Sequence, residues 1–217
     1  MKGKSDSLSS NQPNKLSVNL KENIKEIKQT LGKSTDIVIR EIVAGTDGTI
    51  SLAIIYTEGL ADKDFVQDFI IKPLMLTIRD TKISYQGNLD SMTILENFAL
   101  ANGELKEIQD FDSLYQHILS GDTVLILEGY TKGFAIGSKG WEDRGINEPS
   151  SQTVIRGPKD GFSETLRTNT ALVRRKIKDP NLWIETKPIG KKTRTDVALI
   201  YLNGPIVVQI GVCNSTP

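Results

Sequence analysis

The sequence predicts an α/β (α+β) fold: two small subdomains, each with helices packed on a short mixed β-sheet, arranged as an internal repeat. Three observations carry this prediction. Helical and strand periodicities alternate along the chain. The strands come in pairs that follow a helix. A short stretch near residue 53 is echoed near residue 198.

Residues 1–15, "MKGKSDSLSSNQPNK", are polar without apolar spacing and are expected to form a flexible tail. The first subdomain spans 16–140. Leu20, Ile24, Ile27 and Leu31 fall on one helical face, and Gly32 closes that helix. "DIVIREIV" (36–43) and "ISLAIIYT" (50–57) are β-branched strands, and the Asp-Gly between them marks a tight hairpin turn. "DKDFVQDFIIKPL" places Phe65, Phe69 and Ile70 on one side of a helix that Pro73 should end. Two more helices are expected near 91–100 and at 111–120, then strands at 122–129 and 132–138.

A connector, 141–156, leads to the second subdomain, 157–204. The connector holds Trp141, and a cleft at this junction would be a natural place for a small ligand. In the helix that follows, Phe162, Leu166, Val173 and Ile177 share a face. Glu164 lies near its start and Arg174, Arg175, Lys176 and Lys178 near its end, the charge order a helix dipole favours. Asp179-Pro180 stops it, and "NLWIETKPI" and "DVALIYLNG" follow as strands.

The echo joins "AIIYTEG" (53–59) to "ALIYLNG" (198–204), and "IVIREIVAG" to "LWIETKPIG". On that repeat the second unit should continue into a helix after Gly204. Instead the chain gives "PIVVQIGVCNSTP", so the second unit reads as truncated and 205–217 as an atypical tail or one of foreign origin.

Bulk properties narrow the function classes. Lys plus Arg equals Asp plus Glu at 27 each in 217 residues, so nothing draws the whole chain to nucleic acid or acidic lipid. One cysteine, Cys213, excludes an internal disulfide framework. No apolar signal region follows the first residues and no apolar run could span a bilayer, so a soluble chain is expected. "GPKDGF" lacks the Lys-Ser or Lys-Thr of a phosphate loop, and Pro158 removes a backbone donor. An anion could still dock at the start of the 162–177 helix, beside Arg156 and Lys159. Arg167, Arg174 and Lys178 form a basic stripe, yet no nucleic-acid motif frames it and no aromatics interleave. The one histidine, His117, is expected at the surface. With a single Cys and a single His there is no metal set and no nucleophile pair, so neither an enzyme nor a cofactor is expected.

From Glu148 to Gly204 the residues form an ordered pattern. It comprises Glu148-Pro149, Arg156-Gly157-Pro158-Lys159, Gly161-Phe162, Glu164-Thr165-Leu166-Arg167-Thr168-Asn169, Arg174-Arg175, and Ile189-Gly190 with Thr195. This pattern resembles the A subunits of the GerA-type nutrient germinant receptors of spore-forming bacteria. The resemblance implies a non-enzymatic, soluble N-terminal domain of a larger subunit of the spore inner membrane. The membrane segments would lie outside this chain, and the domain would sit on the cytoplasmic, spore-core side. Partners implied are the receptor's B and C subunits, with a small nutrient (amino acid or sugar) and self-association as further candidates and no nucleic acid. The candidate ligand or partner site is the junction, with Arg156, Gly157, Pro158 and Lys159 as its turn. Arg167, Asn169 and Arg174 would be its polar helix face. A bracing role for Arg167 and Asn169 is the competing reading, and a purely structural scaffold or a basic-helix nucleic-acid binder are the competing functions.

Overall fold

The computed structural model describes residues 14–44, 50–80, 105–140, 161–203 and 210–211. The expected hairpin turn after residue 44, the helix near 91–100, the connector and most of the two termini lie outside these residues.

Helix α1 is Leu20–Thr30. Asn19 caps it, accepting from the Lys21 and Glu22 amides, and Gly32 leaves it with φ +62°. The expected apolar face is the buried one: Leu20, Ile24, Ile27 and Leu31 are all at most 5% exposed. The tail was expected to reach residue 15, but the Asn14 carbonyl accepts from the Phe111 amide and Leu16 donates to Gln109.

β1 (Ile37–Ala44) and β2 (Ile50–Thr57) pair antiparallel along their whole length. β2 also pairs with β4 (Thr123–Leu127), which pairs with β5 (Gly133–Ile136). β3 (Leu105–Ile108) closes the order β1-β2-β4-β5-β3. Every ladder in this sheet and in the second is antiparallel, where the sequence suggested mixed sheets. Strands consecutive in sequence, β1 with β2, β4 with β5 and β6 with β7, pair directly with each other, as antiparallel neighbours do.

β2 is apolar at nearly every position because it is covered on both faces. Leu52, Ile54 and Tyr56 face one core with Val66, Ile70 and Leu74. Ala53 and Ile55 face the other, with Ile24 and Ile27 of α1 and Leu114 and Ile118 of α4 (Phe111–Ile118). The sheet is therefore the middle of three layers.

Pro73 does not end its helix. α2 (Lys63–Phe65), a π-helical segment (Val66–Ile71) and α3 (Lys72–Asp80) run on as one rod. A proline ring strikes the carbonyl four residues back and offers no N–H. The wider π turn, in which the Lys72 amide bonds to the Gln67 carbonyl, lies just before the proline and opens the ladder there. The extra residue also rotates the buried face. Val66, Ile70 and Leu74 are buried, whereas Phe69, expected on the same side as Ile70, is 55% exposed and stacks on Phe65.

α5 (Leu166–Lys176), β6 (Leu182–Ile189) and β7 (Thr195–Leu202) form the second helix-plus-hairpin unit, with β8 (Ile210–Gly211) beside β7. Its own small core is Leu182, Ile184, Ala198 and Ile200, with Leu166 and Val173 of α5 packed on it. Phe162 and Ile177, expected on that apolar face, are exposed, because α5 starts only at Leu166 and its cap at Ile177 is already extended.

Candidate functional site

The site is the joint where α5 and β6 meet the first sheet, and it rests on two copies of one local structure. Ahead of α1, the side chain of Asn23 accepts from the Ser17 amide (2.8 Å) and donates to the Ser17 carbonyl (2.7 Å). Ahead of α5, Asn169 does the same to Ser163, at 2.7 Å in both bonds. Each serine hydroxyl also accepts from the amide two residues on, Asn19 or Thr165. Both asparagines are buried, at 1% and 2% exposure. The shared pattern is Ser-x-x-Leu-x-x-Asn, in "SVNLKEN" and "SETLRTN". It staples the incoming chain across the first helical turn by holding the serine's own amide and carbonyl.

The hairpins match as well. β1 and β2 pair from Ile37↔Thr57 to Ala44↔Ile50, and β6 and β7 from Leu182↔Leu202 to Ile189↔Thr195. Each is an eight-pair ladder. The echo of "AIIYTEG" in "ALIYLNG" thus places Tyr56 and Tyr201 at equivalent ladder positions, opposite Val38 and Trp183.

The two units meet through polar bonds. The Thr35 amide donates to the Ile184 carbonyl (2.8 Å), and the Ile184 amide donates to the Ser34 hydroxyl (3.2 Å), so the Ser34–Thr35 turn covers the outer edge of β6. The Trp183 indole donates to the Thr30 carbonyl (3.0 Å), and its ring lies so close over Gly32 that a Cβ there would sit 2.2 Å from it. Arg174, fully buried, gives two bonds to the Asp36 carboxylate (2.9 and 3.1 Å) and one to the Leu182 carbonyl (2.6 Å). That one guanidinium ties α5, the approach to β1 and the start of β6 together. At the rim Arg167 pairs with Glu58.

A cleft of about 140 Å³ opens in this joint. Carboxylates of Asp36, Glu58 and Asp196 line it, with Thr35, Thr170 and the guanidinium of Arg167. Two of these carboxylates are already paired, Asp36 with Arg174 and Glu58 with Arg167.

Of the expected site residues, Arg156, Gly157, Pro158 and Lys159 lie outside the described residues. Arg167 lines the cleft. Asn169 and Arg174 do not form an open polar face, since both point inward and brace the joint. Arg174 departs from the expected basic stripe because the second unit docks on the first through that side of α5. His117, expected at the surface, is half-buried and bonds to Asp122 at 2.7 Å. Asp36, Ser34 and Thr35 were not singled out by sequence. Nothing local distinguishes "STD" from an ordinary turn, and only the docked helix makes it a joint.

Comparison with known proteins places this geometry. The family model for the Bacillus/Clostridium GerA spore germination protein matches residues 25–210. The chain belongs to the GerA spore germination family. It is 38% identical over 189 residues to spore germination protein KA of Bacillus subtilis (strain 168), covering 87% of this chain and 34% of that protein. It is 30% identical over 184 residues to spore germination protein GerLA of Bacillus cereus, covering 85% and 36%. This chain therefore spans about a third of the length of these GerA relatives. Its fold matches the crystal structure of the N-terminal domain of the A subunit of the Bacillus megaterium spore germinant receptor GerK3. The TM-score is 0.69 at 31% identity, over 89% of this chain and 68% of that one. The chain accordingly has the fold of that N-terminal domain. Among the described residues no helix is long and apolar enough to cross a membrane.

Proposed function

We propose that this domain takes part in sensing a nutrient germinant, or in passing that signal on, and that the joint between its two helix-plus-hairpin units is the working element. The observation that carries the reading is the contrast between cores and joint. Each unit has its own apolar core, while the contact between them is made mainly of ion pairs and edge hydrogen bonds, with one tryptophan and Ala171 seated against Gly59. Polar joints of this kind shift between arrangements at lower cost than a shared apolar core. Membership of the GerA family and likeness to the GerK3 domain supply the context. In that context the whole subunit works in the spore inner membrane with B and C subunits, this domain faces the spore core, and it performs no catalysis of its own.

The competing reading, a scaffold that never meets a nutrient, draws support from Asn169 and Arg174, which brace instead of presenting a surface. Spores carrying the full-length subunit with Arg167→Ala or Glu58→Gln separate the two. A sensing or relaying joint shifts the nutrient concentration needed for half-maximal germination while the receptor level on an immunoblot stays unchanged. A scaffold leaves that concentration fixed and moves only the level. Titration calorimetry of amino acids and sugars against the isolated chain then asks whether the ligand binds here: heat that Arg167→Ala removes places it in the cleft. No heat with any nutrient confines this domain to relay or scaffold.

A further inference from the structure

Two turns further along α5 the joint holds a second concavity of opposite character. Its volume is about 210 Å³, and it is lined by Leu60, Leu119, Ser120 and Lys139 of the first unit and Arg175 and Lys178 of the second. Three cations and no carboxylate stand in its wall. Composition does not account for this, since the chain as a whole is charge-neutral. Nor do the cations simply dress the C-terminal end of α5. Lys178 reaches across to the Ser120 hydroxyl (3.1 Å) of the other unit. Lys139 belongs to that unit altogether, and its ammonium pairs with Asp122 at 3.5 Å. That carboxylate is already engaged by His117 at 2.7 Å.

We infer that this concavity is a binding site for a small oxyanion, a phosphate- or carboxylate-bearing molecule. Two lysines and an arginine around one hollow reproduce the charge and donor supply that oxyanions require: ammonium groups as adjustable point charges and a guanidinium as a planar fork. Concave walls of low polarity strengthen their field relative to open surface. The floor of Leu60 and Leu119 fits a short carbon skeleton between anionic groups. Because the wall comes from both units, an occupant draws them together and acts on the same joint as the cleft, from another place. This goes beyond the nutrient reading and does not depend on it.

The same chemistry could come from a free anion or from an anionic lipid headgroup. Calorimetry of the chain with inorganic phosphate, pyrophosphate and citrate, at ionic strength fixed with chloride, tests the site. The double variant Lys139→Gln/Lys178→Gln is the probe and Lys25→Gln, on an exposed face of α1, is the control. The expected result is saturable binding of at least one anion, weakened tenfold or more in the double variant and unchanged in the control. The unfolding midpoint without anion should match the parent's. Absence of saturable binding to anion and vesicle alike, or equal affinity in the double variant, overturns the inference. Sedimentation with phosphatidylglycerol vesicles separates the sources. Co-sedimentation that the double variant and excess phosphate both abolish assigns the headgroup, and binding of free anion without co-sedimentation assigns the soluble molecule. Co-sedimentation indifferent to the variant counts against the site.

Discussion

Lys28 and Arg174 occupy the same place in the two copies of the Ser-x-x-Leu-x-x-Asn helix, and their fates differ completely. Lys28 is 58% exposed and stands 3.8 Å from Glu41. Arg174 is fully buried, with three hydrogen bonds. The helix, the staple before it and the hairpin after it are common to both units, so local sequence cannot explain the difference. Docking explains it. The first unit uses its α1 to cover its own five-stranded sheet and leaves Lys28 in water. The second unit has a smaller sheet and turns the matching face of α5 onto its neighbour. A repeat that keeps its skeleton can therefore change one side chain from solubiliser to latch.

The comparison breaks most sharply at the latch. Asp36→Ala leaves the buried Arg174 charge without its carboxylate, and removing one partner of a buried pair costs about 3–5 kcal/mol. Lys28→Ala removes a solvated pair and costs about 0–0.5 kcal/mol. Urea unfolding of the two variants beside the parent measures both. Similar losses would mean that the two helices do equivalent work and that Arg174 is no latch.

The staples should break alike. Asn23→Ala and Asn169→Ala each leave a serine amide and carbonyl without partners in a half-buried place, at a cost of about 1–3 kcal/mol. Equal midpoint shifts in the two variants are expected if the units are copies. A silent Asn169→Ala would reduce the second staple to a bystander. A double variant whose losses add would show that the two units sense the staple independently.

How far the sequence revealed this molecule follows the same division between local and tertiary causes. The α1 face of Leu20, Ile24, Ile27 and Leu31 and the eight-residue strands of both hairpins depend on neighbours in sequence, and they were legible. β3, "LKEI", was missed because an edge strand exposes two of its four side chains and shows no apolar run. The helix was wrongly ended at Pro73 because a π turn can absorb a proline, and its widening leaves no residue signature. Within the site, the helix carrying Arg167, Asn169 and Arg174 was legible as distinctive, but which of the three faces water was not. Spacing puts Arg174 and Arg167 on one stripe; only the position of Asp36 across the joint separates them. The staple itself was present in plain letters at residues 17–23 and 163–169 and shows once the two helix starts are aligned.

The smallest expected effect concerns the matched tyrosines. Tyr56 lies under the Arg40 guanidinium, 5.9 Å from its ring centre, whereas Tyr201 donates its hydroxyl to Glu185 at 2.5 Å. Arg40 and Glu185 hold equivalent ladder positions, so the repeat has exchanged a cation on the ring for a carboxylate on the hydroxyl. The Tyr201 bond, and after it Lys187 at 2.9 Å, hold the Glu185 carboxyl below its ordinary value. A carboxyl depressed in the folded state stabilises above its unfolded value, roughly pH 4, and loses that contribution as pH falls through the folded value. Tyr201→Phe removes the first cause of the depression. The difference in thermal midpoint between Tyr201→Phe and the parent should therefore be present at pH 7 and shrink as pH drops below about 4. Tyr56→Phe, whose ring faces a guanidinium and no carboxyl, should give a difference that stays constant across that interval. A Tyr201→Phe difference equally flat with pH would show that the Glu185 bond carries none of the second unit's stability.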